Sequence, residues 1–82
     1  MFKKSYRYLV VFDGSVERYR TRKEMWHAVN AHLAEVGAEI GVKNADYASP
    51  ENLRAEILKV RGIEKIPRIF NRRLEEITTR LL

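Results

Sequence analysis

The chain has 82 residues, 45% of them hydrophobic and 33% charged, and it carries a net charge of +5 at pH 7. This length supports one domain with one core, and the composition is typical of a globular protein rather than a disordered or membrane-embedded one. The chain has no cysteine, which excludes disulfides, cysteine nucleophiles and cysteine-ligated metal clusters.

The first predicted element is an N-terminal β-hairpin. Residues 6–12 are rich in β-branched and aromatic side chains and run into the dipeptide Asp13-Gly14. Asp-Gly between two such segments is typical of the tight turn that joins antiparallel strands. We therefore expect one strand over residues 6–12 and a return strand over residues 16–20.

The loop length decides which side chains face each other in this hairpin. A two-residue loop places Tyr8 opposite Tyr19. The same register opposes Arg7 and Arg20, whose like charges repel, so it needs an anion or an acidic side chain nearby. A three-residue loop would instead place Leu9 opposite Tyr19, and the sequence leaves the choice open.

A helix is predicted to follow the hairpin. Thr21 and Glu24 have the spacing of a capping box, in which the threonine side chain accepts a hydrogen bond from the glutamate amide. An apolar stripe with His32 at its edge then continues at helical spacing. The stripe consists of Met25, Trp26, Val29, Leu33 and Val36. Gly37 is expected to end the helix, because glycine readily adopts the left-handed conformation found there.

A third strand and a second helix are predicted next. Apolar residues alternate over residues 38–42, which suits a short strand. Ser49 followed by Pro50 is a typical helix start, with the serine as cap and the proline in the first turn. Gly62 is expected to end this helix. Its buried stripe is expected to consist of Leu53, Ile57 and Val60.

The C-terminal segment has two interpretations. Helical spacing of apolar residues predicts a helix from residue 71 to residue 82. Those residues are Phe70, Leu74, Ile77 and Leu81. The preceding residues 63–70 could form a strand, or the helix could begin at Pro67. The proline argues against a central strand in either case.

Together these elements predict a small α+β fold for residues 1–82, a single domain. An N-terminal β-hairpin and a short third strand would form the sheet, with two or three helices packed on one face. The order is approximately ββαβαα, or ββαβα(β)α if the ambiguous segment is a strand.

Two histidines on the first predicted helix are weak candidates for metal binding. His27 and His32 are five residues apart, so their rings diverge by about 140° around the helix axis, whereas shared ligands usually lie three or four apart. His27 could pair with Glu24 and His32 with Glu35, but each pair would need further ligands. We expect no metal, with His27 in solvent and His32 beside the core with one ring nitrogen satisfied.

Catalytic motifs are missing from the sequence. No serine lies in a G-x-S-x-G turn, and neither a P-loop nor a G-x-G-x-x-G pattern occurs. Glu75 and Glu76 are adjacent on the predicted C-terminal helix and would diverge. We therefore expect a protein that is not an enzyme and needs no cofactor.

The charge is unevenly distributed along the chain. Residues 1–23 carry seven basic and two acidic side chains, residues 24–57 carry a net charge of −4, and residues 58–82 carry +4. If the two basic ends fold onto one face, their field would attract phosphates or an acidic partner.

Basic and aromatic side chains alternate along the hairpin and the start of the first helix. Arginine binds phosphate through two parallel N–H donors, tyrosine rings stack on bases, and a helix N-terminus favours an anion. We therefore predict a module that binds nucleic acid through phosphate contacts, with Tyr8 or Tyr19 as the stacking residue. The candidate binding residues are Lys3, Lys4, Arg7, Arg18, Tyr19, Arg20, Arg22, Lys23 and Arg72.

A protein-interaction module is the alternative hypothesis. An acidic protein would satisfy the same basic surface, and tyrosine and arginine dominate the energetics of many protein interfaces. The chain would then be a small inhibitor or adaptor of a larger complex, of the kind that mobile genetic elements encode. The apolar stripe of the predicted C-terminal helix could also support a homodimer.

The sequence predicts a cytoplasmic protein. Two lysines before an apolar run give residues 1–12 a weak likeness to a signal peptide. However, Arg7 interrupts the run and a charged turn follows without a small-residue cleavage site. No apolar stretch approaches the length that spans a bilayer, so we expect no membrane association.

Overall fold

The computed structural model describes residues 6–82, which form three β-strands and three α-helices. Two short 3-10 turns lie at Ala45–Tyr47 and Ile63–Lys65. The elements are β1 (Tyr8–Phe12), β2 (Ser15–Tyr19), α1 (Arg22–Glu39), α2 (Pro50–Val60), β3 (Arg68–Asn71) and α3 (Thr78–Leu81). The predicted α+β class is confirmed. None of the helices in this part of the chain is long and apolar enough to cross a bilayer.

The sheet is antiparallel with strand order β2-β1-β3, so β1 is its central strand. Tyr8 lies opposite Tyr19, which selects the two-residue loop of the two predicted registers. Asp13 and Gly14 both have positive φ, at 49° and 81°. This is the backbone of the turn that matches the natural twist of a hairpin.

One face of the sheet is covered by α1, and α2 packs beside α1. Val10 of β1 and Ile69 of β3 are fully buried between the sheet and the helices. The helices contribute Met25, Val29, Leu33, Val36, Leu53 and Ile57 to this core. The predicted buried stripe of α1 is confirmed, although Trp26 is only partly buried. In α2, Leu53 and Ile57 are buried as predicted, but Val60 is exposed.

Both predicted helix starts are confirmed by their caps. The Thr21 hydroxyl accepts from the amide of Glu24 at 3.1 Å, and Ser49 accepts from the amide of Asn52 at 3.2 Å. Each bond satisfies one of the amides that a helix leaves unpaired at its first turn.

The end of α1 differs from the sequence prediction. Gly37 lies inside the helix, and the left-handed residue is Gly41, with φ of 90°. The amide of Gly41 donates to the carbonyl of Ala38 at 3.1 Å, and that of Val42 donates to the carbonyl of Gly37 at 2.9 Å. These are the two bonds of a Schellman cap. The strand predicted over residues 38–42 is therefore wrong.

Gly37 is required for packing rather than for a turn. A Cβ atom at this position would lie 2.6 Å from Cδ2 of Leu53 and 3.4 Å from Cβ of Ala45. The missing side chain lets α1 approach α2 and the turn before it closely. From the sequence alone, a glycine required for packing cannot be distinguished from a glycine that ends a helix.

The third strand is β3, within the segment that the sequence left ambiguous. Pro67 directly precedes it, where the missing amide hydrogen removes no hydrogen bond from the sheet. β1 thus has neighbours on both sides, with Tyr8 opposite Asn71 and Val10 opposite Ile69.

The C-terminal helix is much shorter than predicted, because residues 72–77 turn back along β3. The amide of Ile77 donates to the carbonyl of Ile69 at 2.8 Å, and that of Asn71 to the carbonyl of Glu75 at 3.0 Å. The Asn71 side chain holds the turn by accepting from the amides of Arg73 and Glu75, at 2.9 and 3.0 Å. A helix over residues 71–77 is therefore wrong.

The apolar side chains of the predicted C-terminal stripe separate in this arrangement. Ile77 is buried and Leu81 packs against the core. Leu74 is 59% exposed at the turn, and Phe70 points to the opposite side of the sheet. The continuous helical stripe that could have supported a homodimer does not form in residues 70–81.

Candidate nucleic-acid interface

The sheet face turned away from α1 carries a mixed apolar and basic surface, which we call the open face. Leu9 lies between Arg18 of β2 and Phe70 of β3. Val11 lies in the same way between Val16 of β2 and Arg68 of β3. The open face consists of Leu9, Val11, Val16, Arg18, Arg68 and Phe70. Within residues 6–82, the core cluster includes none of these side chains.

Two arginines of the open face lie over aromatic rings. The guanidinium carbon of Arg18 is 5.8 Å from the ring centre of Tyr6, and that of Arg68 is 5.1 Å from the ring centre of Phe70. Both distances suit a cation–π contact. Cationic and aromatic groups therefore flank Leu9 on one surface.

The charge of Arg68 is already balanced by a carboxylate. Its Nη2 and Nε atoms donate to the two carboxylate oxygens of Glu76 at 2.7 and 3.3 Å. The hydrogen bonds from Arg68 and from the Thr78 hydroxyl hold the pKa of Glu76 below its ordinary value of 4.5. Arg68 therefore shapes the surface more than it attracts an anion.

The lowered pKa of Glu76 predicts a loss of stability in acid. The ionised carboxylate stabilises the fold above pH 4.5, its ordinary pKa, and this contribution disappears as the pH falls through the lowered pKa. Because both partners are well exposed, Glu76→Gln should cost less than about 1 kcal/mol at neutral pH. Thermal melts should show this difference at pH 7 and none in strong acid. Glu35→Gln, at an exposed position of α1, is the control and should not reproduce that pattern.

Several cations gather at the end of the sheet opposite the Asp13-Gly14 turn. The pairing of Tyr8 with both Tyr19 and Asn71 brings three chain segments together there, and α1 also begins there. A shallow depression of about 330 Å³ at this end includes Arg7, Arg72, Arg73 and Glu75 in its lining. We call this end the basic end; its cations are Arg7, Arg20, Arg22, Lys23, Arg72 and Arg73.

Most of these cations are exposed and not neutralised by a carboxylate. The ion pairs described for residues 6–82 join other side chains, namely Glu17–His32, Glu56–Lys59, Asp13–Lys65 and Glu76–Arg68. None of these ion pairs includes Arg7, Arg18, Arg20, Arg22 or Lys23. Like charges held close together in this way raise the local positive potential.

The predicted stacking tyrosines lie on the other face of the sheet. Tyr8 and Tyr19 both pack against the core, and burial, followed by the charge and hydrogen bond of Glu17, raises the pKa of the Tyr19 hydroxyl. The aromatic side chains on the side of Arg18 are instead Tyr6 and Phe70. Sequence alternation alone could not tell which face of the hairpin would be covered.

Two other predicted residues, Lys3 and Lys4, lie outside the described residues. Arg72 is exposed on the turn after β3 rather than on a helix. Arg68 and Phe70 were not among the predicted binding residues, because their place beside β1 depends on strand pairing over a long sequence distance.

The two histidines have separate surroundings. The Nε2 atom of His32 lies 2.7 Å from Oε1 of Glu17, and its ring stacks on Phe12 with 4.2 Å between centres. This confirms a histidine beside the core with one nitrogen satisfied, and it ties β2 to α1. His27 is exposed. Residues 6–82 contain no group of three acidic or histidine side chains that could hold a metal ion.

Comparison of the chain with known protein families, with curated proteins and with solved structures finds no match. The function is therefore inferred from the chemistry and geometry of the two surfaces, the open face and the basic end.

Proposed function

We propose that the protein binds single-stranded nucleic acid through the basic end and the adjoining open face. The observation that carries this proposal is the cluster of exposed cations at the basic end, where five arginines and one lysine come from four different chain segments. Stability gives no reason to gather like charges, whereas a polyanion would neutralise several of them at once.

The basic end supplies the phosphate contacts in this proposal. Arg7 and Arg20 leave the sheet beside each other, next to the Tyr8–Tyr19 pair, and Arg22 and Lys23 lie in the first turn of α1. The partial positive charge of the helix N-terminus adds to their attraction for an anion. Arginine side chains would bind phosphate oxygens in pairs.

The open face supplies the contacts to the bases. Tyr6 and Phe70 present aromatic rings beside Arg18 and Arg68. Leu9 lies between Arg18 and Phe70 in the sheet. Stacking on such rings tolerates any base, because every base has a π-face. A broad three-stranded face suits unpaired bases better than a duplex, whose major groove accepts a helix or a two-stranded ribbon.

Fluorescence anisotropy with labelled oligonucleotides tests this proposal. Single strands should bind more tightly than duplexes of the same length. With about four phosphate contacts, affinity for the single strand should fall roughly 50-fold between about 50 and 200 mM salt. Failure to bind at the lower salt concentration, or binding that salt does not weaken, would contradict the proposal.

A protein-interaction module is the second candidate, and the apolar part of the open face favours it. Leu9, Val11, Val16 and Phe70 lie together without core contacts, and Val16 is 55% exposed. A protein partner with an apolar ridge and an acidic rim would cover this surface. A partner that stays bound to the purified protein after nuclease treatment would support this candidate over nucleic acid.

A further inference from the structure

A cleft lies at the other end of the sheet, beside the Asp13-Gly14 turn. Its volume is about 640 Å³, which is within the range of small-molecule binding sites. The walls come from the hairpin turn, from α2, from the residues before β3 and from the start of α3. It is therefore separated from the basic end by the length of the strands.

Arg54 of α2 lines this cleft and has a buried N–H donor that lacks a partner. It is half-buried, and its Nε atom is shielded from solvent without a hydrogen-bond acceptor among the described residues. A shielded N–H group without an acceptor is unfavourable. A ligand oxyanion in the cleft would supply that acceptor when the side chain turns its Nε–H group toward the cleft.

The other two cations of the cleft are already paired. Lys65 lies 3.3 Å from a carboxylate oxygen of Asp13, and Arg68 lies 2.7 Å from one of Glu76. Glu64 also lines the cleft, but no ion pair between described residues includes it. The described residues thus leave the cleft with one unpaired charge of each sign, Arg54 and Glu64, so its carboxylates would repel a doubly charged anion more strongly than a singly charged one.

The rest of the lining is partly apolar. Val11 and Ile66 contribute to the walls, and Ile63 at the rim is 70% exposed. An exposed isoleucine beside a cleft gains from contact with an apolar group. A ligand that contacts both Arg54 and these apolar side chains would carry one negative charge on an apolar body.

We propose that this cleft binds a small organic monocarboxylate, with the carboxylate on the guanidinium of Arg54 and the apolar body against Val11, Ile63 and Ile66. The planar guanidinium can donate two parallel hydrogen bonds to a carboxylate, which fixes the orientation of the ligand. This site shares Val11 and Arg68 with the open face but no residue with the basic end, whose cations carry the proposed function, so either proposal can fail without the other.

Titrations followed by ¹H–¹⁵N NMR of the full chain test this site with three matched probes: 1-naphthylacetate, the neutral 1-naphthylacetamide and 1-naphthyl phosphate. The carboxylate should shift the amides of Gly14, Ile63 and Lys65 at millimolar concentration or below. The amide should bind at least about tenfold more weakly, because it lacks the charge-assisted hydrogen bonds. The phosphate should also bind more weakly than the carboxylate.

Variants of Arg54 complete the test. Arg54→Gln should weaken binding of the carboxylate by about tenfold, whereas Arg54→Lys, which keeps the charge but not the planar donor pair, should lie between it and the wild type. Arg61→Gln, at an exposed position at the end of α2, should leave binding unchanged. Equal binding of carboxylate and amide, no shifts at the cleft, or undiminished binding to folded Arg54→Gln would each overturn the proposal.

Discussion

Replacing Gly37 by valine should lower the free energy of unfolding by about 1–3 kcal/mol, the usual cost of forcing extra methyl groups into a packed core. The first added carbon would already lie 2.6 Å from the buried side chain of Leu53. In a domain of this size, each kcal/mol shifts the melting temperature by roughly 4–8 °C. Thermal or urea unfolding measures the effect.

Two further variants separate this clash from helix propensity. Ala31→Val places the same residue at an exposed position of α1 and should cost only about 0.5 kcal/mol. Gly37→Ala combines the clash with a gain in propensity of about 1 kcal/mol. In a Leu53→Val background, which removes the clashing Cδ2 atom, Gly37→Ala should become neutral or stabilising. If the alanine stabilises the wild-type background by the full propensity gain, α1 and α2 do not pack as described.

Reversing the charge of Arg20 and Arg22 together should weaken single-strand binding about 100-fold at low salt, since two phosphate contacts are lost and two repulsive charges appear. The slope of affinity against salt should also become shallower. The fold should survive, because both side chains are exposed and a glutamate in the first turn of α1 favours the helix dipole.

The matched control for this variant changes the net charge equally at distant positions. Arg61→Glu with Arg80→Glu also lowers the net charge from +5 to +1, and both residues are exposed, Arg61 at the end of α2 and Arg80 on α3. This control should retain most of the affinity. Equal losses in the two variants would mean that only the overall charge attracts nucleic acid, and the basic end would then not be a site.

The parts of the fold that the sequence predicts correctly depend on short-range hydrogen bonds. The Asp13-Gly14 turn, the Thr21 cap and the Ser49 cap each involve residues no more than four positions apart. In each case the residue types are typical of the turn or cap that forms. Such signals need no knowledge of the rest of the chain.

The errors arise where distant contacts override a local signal. Gly37 has the local signal of a helix stop, but its role is to accommodate Leu53. At the C-terminus, apolar spacing predicts a helix, whereas the Asn71 side chain instead bonds two amides of the following turn. Asparagine favours such a turn because its side chain can bond nearby backbone amides. In this segment the helical spacing of the apolar residues is the stronger of the two sequence patterns.

The candidate site was accessible to sequence analysis only in part. The hairpin arginines follow from composition and from the turn, so the sequence predicts a basic surface there. Arg72 is also among the predicted binding residues, but its place near Arg7, the contribution of Arg73 and the open face with Phe70 depend on the pairing of β1 with β3. No local pattern specifies that pairing.

The central position of β1 has a consequence for biosynthesis. Its partner on one side follows after a two-residue turn, but Tyr8 meets its other partner, Asn71, 63 positions later. A nascent chain therefore emerges from the ribosome with one edge of its middle strand unpaired until residues 68–71 have also emerged. The pairing of β1 with β3 forms late, because long-range pairing must overcome the entropy of closing a large loop. A chain terminated before residue 68 would expose the unpaired edge of β1, which can pair with other chains and aggregate.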